Sequence, residues 1–194
     1  MDGDLILIIV VASALAFDFT NGFHDTANAV ATSVSTYALS PRVAVLLASI
    51  LNFVGAFISL QVAATVGSGI VESGAATTTV VFAGLVGAIS WNLITWWFGL
   101  PSSSSHALIG GLVGAALVGG VRVRWDAVLE RVVLPMIVSP LVGLALGWAL
   151  MILIGWVFRR HDRSHVSRGF RSAQTVSATA MAFGHGMQDA AKVA

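Results

Sequence analysis

Asp25 is an ionisable residue in an apolar setting, because Asn21-Gly22-Phe23-His24-Asp25-Thr26-Ala27-Asn28 lies between the apolar runs Leu5 to Phe17 and Ala29 to Leu39. Asp18, Asn21, Asp25, Asn28 and Thr32 recur at alternating spacings of three and four, which lines one polar stripe on a helix. An aspartate near the centre of a lipid-facing helix costs about 2.5–3.5 kcal/mol even on lenient insertion scales, so the stripe is expected to face a cavity, a cation or a partner helix. The plainer alternative is that Asp25 and Asn28 only hydrogen-bond neighbouring helices. For Asp18, nearer the helix end, a solvated or structural role is at least as good a reading. The pattern occurs twice: Phe19, Gly22, Asp25 and Ala27 overlay on Phe183, Gly186, Asp189 and Ala191, with Asn21 on His185, His24 on Gln188 and Asn28 on Lys192. Two carboxylates in apolar surroundings on a repeated glycine-containing motif point to a transport site.

A second group is rich in hydroxyls. Ser102, Ser103, Ser104 and Ser105 follow Pro101 and precede His106, at the entrance to a Gly-rich apolar segment ending near Val121. Proline suits the first turn of a helix, hydroxyls satisfy its free amides, and the amides present partial positive charge to an anion. Taken alone the run is explained as well by ordinary capping. Beside a carboxylate motif in the same membrane domain, it suggests a cation and an anion bound together. An intramembrane serine hydrolase built on Ser105 and His106 is disfavoured, since neighbours on a helix point about 100° apart and do not meet as nucleophile and base. The pairs Gly110/Gly114 and Gly143/Gly147 allow close helix contact and are read as packing.

The elements that must carry these groups are membrane helices. The 194 residues are 57% hydrophobic and 10% charged, with mean hydropathy +0.89 and a net charge of +1 that says little about partners. With no cysteine there is no disulfide framework or thiolate metal site. Acidic Asp2 and Asp4 replace the basic region of a cleavable signal, so Leu5 to Phe17 is read as mature structure. A span needs about 20 residues. Leu5 to Leu39 is too long for one simple span and reads as two half-helices broken near Gly22 or as one long tilted helix. Val43 to Val66, Val80 to Phe98 and Val132 to Phe158 are further spans, with Trp96 and Trp97 as an interfacial anchor. The linker Gly67 to Thr79 reads as a solvent loop, and Ser102 to Val121 as a span or a re-entrant segment.

Loop charge orients these segments. Arg159, Arg160, Arg163, Arg168 and Arg171 against Asp162 place residues 159–171 on the cytoplasmic side as a basic loop. Counting back through five crossings puts the N-terminus outside and Arg42 inside; the same count puts Arg122, Arg124 and Arg131 outside, against the rule. The two motif copies then enter the membrane from opposite sides, as in transporters built on inverted repeats. The expected organisation is a first membrane repeat over 1–171 and the start of a second, inverted repeat over 172–194, apparently truncated. The fold class is an all-α integral membrane protein, a polytopic helical bundle with broken or re-entrant helices.

Asn21 to Ala29, Trp91-Asn92-Leu93-Ile94-Thr95-Trp96, Leu100 to Gly110 and Phe183 to Lys192 together resemble the inorganic phosphate transporter (Pit) family, in the right order and across the whole chain. The resemblance implies a symporter, low-affinity in type, moving phosphate or a metal-phosphate complex with protons or sodium across the cell membrane. It also implies about twice as many spans in a complete protein, and a homodimer. Thr26, Asn28, Ser102, Ser103, Ser104, Ser105 and His106 are then the expected substrate ligands; Asn21, His24, Asp25, Gln188 and Asp189 are expected to couple the cation. Many members carry Asn-Asp in both motifs where this chain has His24-Asp25 and Gln188-Asp189, and histidine is the side chain whose charge changes most readily near neutral pH. Hydrogen phosphate is a dianion, so Asp25 and Asp189 are expected to be protonated or bridged by a cation when it binds, with Lys192 an alternative neutraliser of Asp189. No enzymatic activity, cofactor or nucleic-acid partner is expected; the partners are phosphate, the bilayer and the remainder of the second repeat. The rival reading is a permease for another oxyanion or for a divalent metal.

Overall fold

The computed structural model describes residues 3–59, 77–160 and 163–193, with the side chains of Gly3, Ala27, Asn28 and of 56–59, 163–165 and 189–193 outside that description. Its regular structure is helical: α1 (Gly3–Ser35), α2 (Pro41–Ser59), α3 (Thr78–Trp97), α4 (Ser104–Val118), α5 (Trp125–Val128), a π-helical turn (Leu129–Val133), α6 (Leu134–Phe158) and α7 (Arg163–Val193). The expected all-α class is therefore observed. Asp4–Ser35, Thr78–Trp97 and Trp125–Phe158 are long and apolar enough to cross a membrane.

The first apolar run folds as the single long helix, not as two halves. Its 33 residues extend about 50 Å at ~1.5 Å per residue, and Gly22 interrupts nothing. α1 closes where Tyr37 takes a left-handed backbone (φ 58°) and the amides of Ala38 and Leu39 donate to the Ser33 carbonyl at 2.9 and 3.0 Å. Pro41 then opens α2, a position where its missing N–H costs nothing. α2 is described as far as Ser59; the rest of the expected second span and most of the Gly67 to Thr79 linker lie outside the described residues. α4 has 15 residues, about 22 Å, which is short of the ~30 Å hydrocarbon thickness. The basic stretch read as a loop to Arg171 is helical from Arg163 onward, continuous with the second motif.

Small residues set the packing. α1 contacts α2, α3 and α7 and touches α4, while α2 lies along α7 and α3 along α4. A Cβ on Gly55 would meet the Phe183 carbonyl oxygen at 2.6 Å, and one on Gly186 would collide with the Asn52 backbone, so α2 and α7 cross nearly backbone to backbone. Gly84 and Gly111 do the same for α3 and α4. The glycine pairs read as packing positions, Gly110, Gly114, Gly143 and Gly147, meet no neighbour within 4 Å among the described residues. Helical phase explains the difference, since Gly111 sits about 100° round α4 from Gly110 and is the residue turned toward α3. Apolar clusters fill the remaining contacts, with Val30, Ala44, Ala48 and Ala182 between α1, α2 and α7, and Phe17, Leu85 and Ala88 between α1 and α3. α6 has no buried residue and presents apolar side chains all round.

Candidate functional site

The serine run is delivered to α1 by its own local chemistry. Gly99 takes a left-handed conformation (φ 65°), and the chain turns as Leu100 N–H donates to the Thr95 carbonyl at 2.8 Å and Gly99 N–H to that of Trp96 at 3.0 Å. The Trp91 indole N–H then donates to Ser102 Oγ at 2.9 Å, pinning the extended Pro101–Ser103 segment to α3. Ser103 is the N-cap of α4, its Oγ accepting from the His106 amide at 3.4 Å.

Ser104, the next residue, is fully buried and donates its hydroxyl to Asp25 Oδ2 at 2.8 Å. The two groups singled out in the sequence, 79 residues apart, are thus one site. On the other carboxylate oxygen, His24 Nδ1 lies 3.3 Å from Oδ1 while its Nε2 lies 3.2 Å from Thr95 Oγ1. The Thr95 hydroxyl donates to the Trp91 carbonyl at 2.8 Å, so it accepts from His24 Nε2–H.

α7 adds a further nitrogen. His185 Nε2 stands 3.8 Å from Asp25 Oδ2, and His185 Nδ1 is 3.0 Å from Asn52 Oδ1. Because Asn52 Nδ2 donates to the Ala48 carbonyl at 2.8 Å, the amide is oriented with its oxygen toward His185, whose Nδ1 therefore carries hydrogen. Among the described residues, Asp25 is faced by the Ser104 hydroxyl donor and by two imidazole nitrogens, from three helices. Toward the N-terminal side of α1, the amide of the fully buried Asn92 donates to Thr20 Oγ1 at 3.4 Å. Asn21 (2% exposed) and Asn92 (0%) each leave Oδ1 without a hydrogen-bond partner among the described residues.

The structure thus gathers Asn21, His24, Asp25 and Ser104 in the bundle interior. Thr26 and Ser105 are half-buried, Ser102 and Ser103 serve the turn and the cap, and His106 is exposed on the first turn of α4. Gln188 is exposed, and it is His185, about one turn earlier on α7, that reaches Asp25. The side chains of Asn28, Asp189 and Lys192 lie outside the described residues. Sequence reasoning missed Asn52, Thr95 and His185 as site residues. Asn52 is an isolated amide in an apolar helix, and His185 is the repeat equivalent of Asn21, so both carried a signal that was legible.

Polar and ionisable side chains converge from several helices, two of which, α1 and α3, are long and apolar enough to cross a membrane; that combination is the one of a helical membrane transporter. Residues 21–194 match the phosphate transporter family, and the chain belongs to that family, one of transporters and not of enzymes. It is 53% identical to a probable low-affinity inorganic phosphate transporter of Streptomyces halstedii, over 94% of this chain and 87% of that protein. Identity is 50% to a probable low-affinity inorganic phosphate transporter of Mycobacterium bovis, over 96% of this chain and 45% of that protein. The low-affinity inorganic phosphate transporter PitB of Escherichia coli is 36% identical, with 97% of this chain and 44% of that protein covered. Among solved structures, the sodium-dependent phosphate transporter superposes with a TM-score of 0.74 at 26% identity, covering 97% of this chain and 55% of that one. The chain thus spans about half the length of several of its relatives.

Proposed function

We propose that the chain forms one membrane repeat and the opening of a second in a symporter of inorganic phosphate at the cell membrane. The observation that carries the reading is the 2.8 Å bond from Ser104 to Asp25, which puts a hydroxyl-capped helix entrance and a carboxylate in one buried place. Such a place suits an anion and a cation carried together: the carboxylate takes the cation, and hydroxyls, amides and that cation take the phosphate. The names of the relatives support phosphate as the anion. His24 and His185 beside Asp25 favour a proton as the coupling ion; the name of the sodium-dependent neighbour favours sodium.

The wider organisation belongs to the same proposal. Residues 1–171 form the first repeat and 172–194 begin an inverted second one, with the N-terminus outside, the basic stretch inside, and two such proteins pairing as a dimer. A hydrolase built on Ser105 and His106 finds no support, since the two are neighbours on the first turn of α4, where adjacent side chains diverge by about 100°, and His106 is exposed. The test is uptake by the purified protein in liposomes, with sodium, pH and magnesium varied independently and arsenate and sulfate as competitors. Phosphate uptake driven by one cation and inhibited by arsenate is expected. Sulfate transport, or metal uptake without phosphate, would overturn the reading.

A further inference from the structure

We propose that Ser104 is the residue through which phosphate senses whether Asp25 holds its cation, because its single hydroxyl hydrogen serves either the carboxylate or the phosphate. The inference deepens the phosphate symport reading and rests on it. Ser104 is fully buried, and its hydroxyl donates to Asp25 Oδ2 over an oxygen–oxygen distance of 2.8 Å. A serine hydroxyl has one hydrogen to donate. Asp25 is thereby held beside the first turn of α4, where free amides favour a negative group, so the carboxylate of α1 acts as a tethered anion at the entrance phosphate would use.

Phosphate that draws on Ser104 must take this hydrogen from Asp25. An ionised carboxylate resists the exchange, since a charge-assisted bond is the stronger kind and surrendering one of its donors is costly. It also repels the incoming dianion. Once neutralised by the cation, Asp25 has less need of the donor, and the hydroxyl is free to turn. Exchange of one hydrogen thus links the two binding events and sets their order, cation first.

Ser102 and Ser103 do not share this position. Ser102 accepts from Trp91, and Ser103 accepts from the amide of His106. The ring nitrogens of His24 at 3.3 Å and His185 at 3.8 Å also face Asp25, from α1 and α7 and not from the entrance of α4.

The experiment measures phosphate dissociation constants of the purified protein at low and saturating coupling cation, for the wild type, Ser104→Ala and Ser104→Thr, with a melting curve for each. The wild type is expected to bind phosphate about 10-fold or more tightly when the cation is saturating, within the usual range of coupling between sites. Ser104→Ala should bind phosphate more weakly and show a cation effect reduced to roughly 3-fold or less, while Ser104→Thr, which retains the hydroxyl, restores it. If Ser104→Ala does not fold, Ser104→Cys, with its weaker donor, is read by the same criterion. An undiminished cation effect in the variant overturns the inference alone; it would mean that phosphate donates its own hydrogen to Ser104 Oγ or uses other donors. A wild type that binds no phosphate at any cation concentration overturns the functional reading, and the inference with it.

Discussion

The two motif copies place a glycine at equivalent positions, Gly22 and Gly186, yet alanine is expected to act oppositely at the two. A Cβ on Gly186 would lie 2.7 Å from the carbonyl carbon of Asn52 and closer still to its Cα and oxygen. These are backbone atoms in mid-helix and cannot swing aside, so α7 must withdraw from α2 by about 1 Å to restore ordinary contact. The bond from His185 Nδ1 to Asn52 Oδ1, now 3.0 Å, then stretches to roughly 4 Å and is lost. Overpacking costs about 1–3 kcal/mol and the lost bond about 1 kcal/mol, against a gain of about 1 kcal/mol in helix propensity. Gly186→Ala is therefore expected to destabilise by about 1–3 kcal/mol and to carry His185 away from Asp25. Gly22 has nothing within 4 Å of its would-be Cβ among the described residues, so Gly22→Ala should leave stability unchanged or raise it by up to about 1 kcal/mol. Melting curves of both purified variants in detergent, run beside phosphate uptake in liposomes, read the contrast. Equal losses at the two glycines, or a larger one at Gly22, would refute the close crossing of α2 and α7.

Asp25→Asn and Asp189→Asn are each expected to abolish coupled phosphate uptake while leaving membrane insertion intact; near-normal uptake with unchanged cation dependence would make the carboxylates structural. His185→Leu should lower uptake and stability together, because Asn52 Oδ1 loses its donor at a cost of about 1–3 kcal/mol, and unchanged melting and uptake would remove His185 from the site. Ser103→Ala is expected to lose about 1 kcal/mol of stability as a cap, with little change in phosphate affinity; the reverse outcome would make Ser103 a ligand. A cysteine at Ser164 should react with an impermeant thiol reagent only from the cytoplasmic side and one at Gly3 only from outside. Labelling of both from one face would rule out the inverted arrangement of the repeats.

Membrane residence, helical class and the special standing of Asp25 were legible in the sequence alone. Each follows from local composition: an apolar run has to pair its backbone internally as helix, and an ionisable group within it must be given a partner. The capping of α4 by the serine run was legible for the same reason, since proline and hydroxyls act on amides a few residues away. Which serine meets the carboxylate was not. Adjacent side chains diverge by about 100° on a helix, and only the placement of α4 against α1 and α3 selects Ser104 over its neighbours. The repeat pattern likewise equated Gln188 with His24, whereas the crossing of α7 over α2, set by Gly55 and Gly186, turns His185 to Asp25 and leaves Gln188 exposed. Periodicity assigns a residue to a face of its own helix, but which face meets which neighbour depends on how closely two backbones can approach. That is a property of the pair of helices, and it is decided only when they pack.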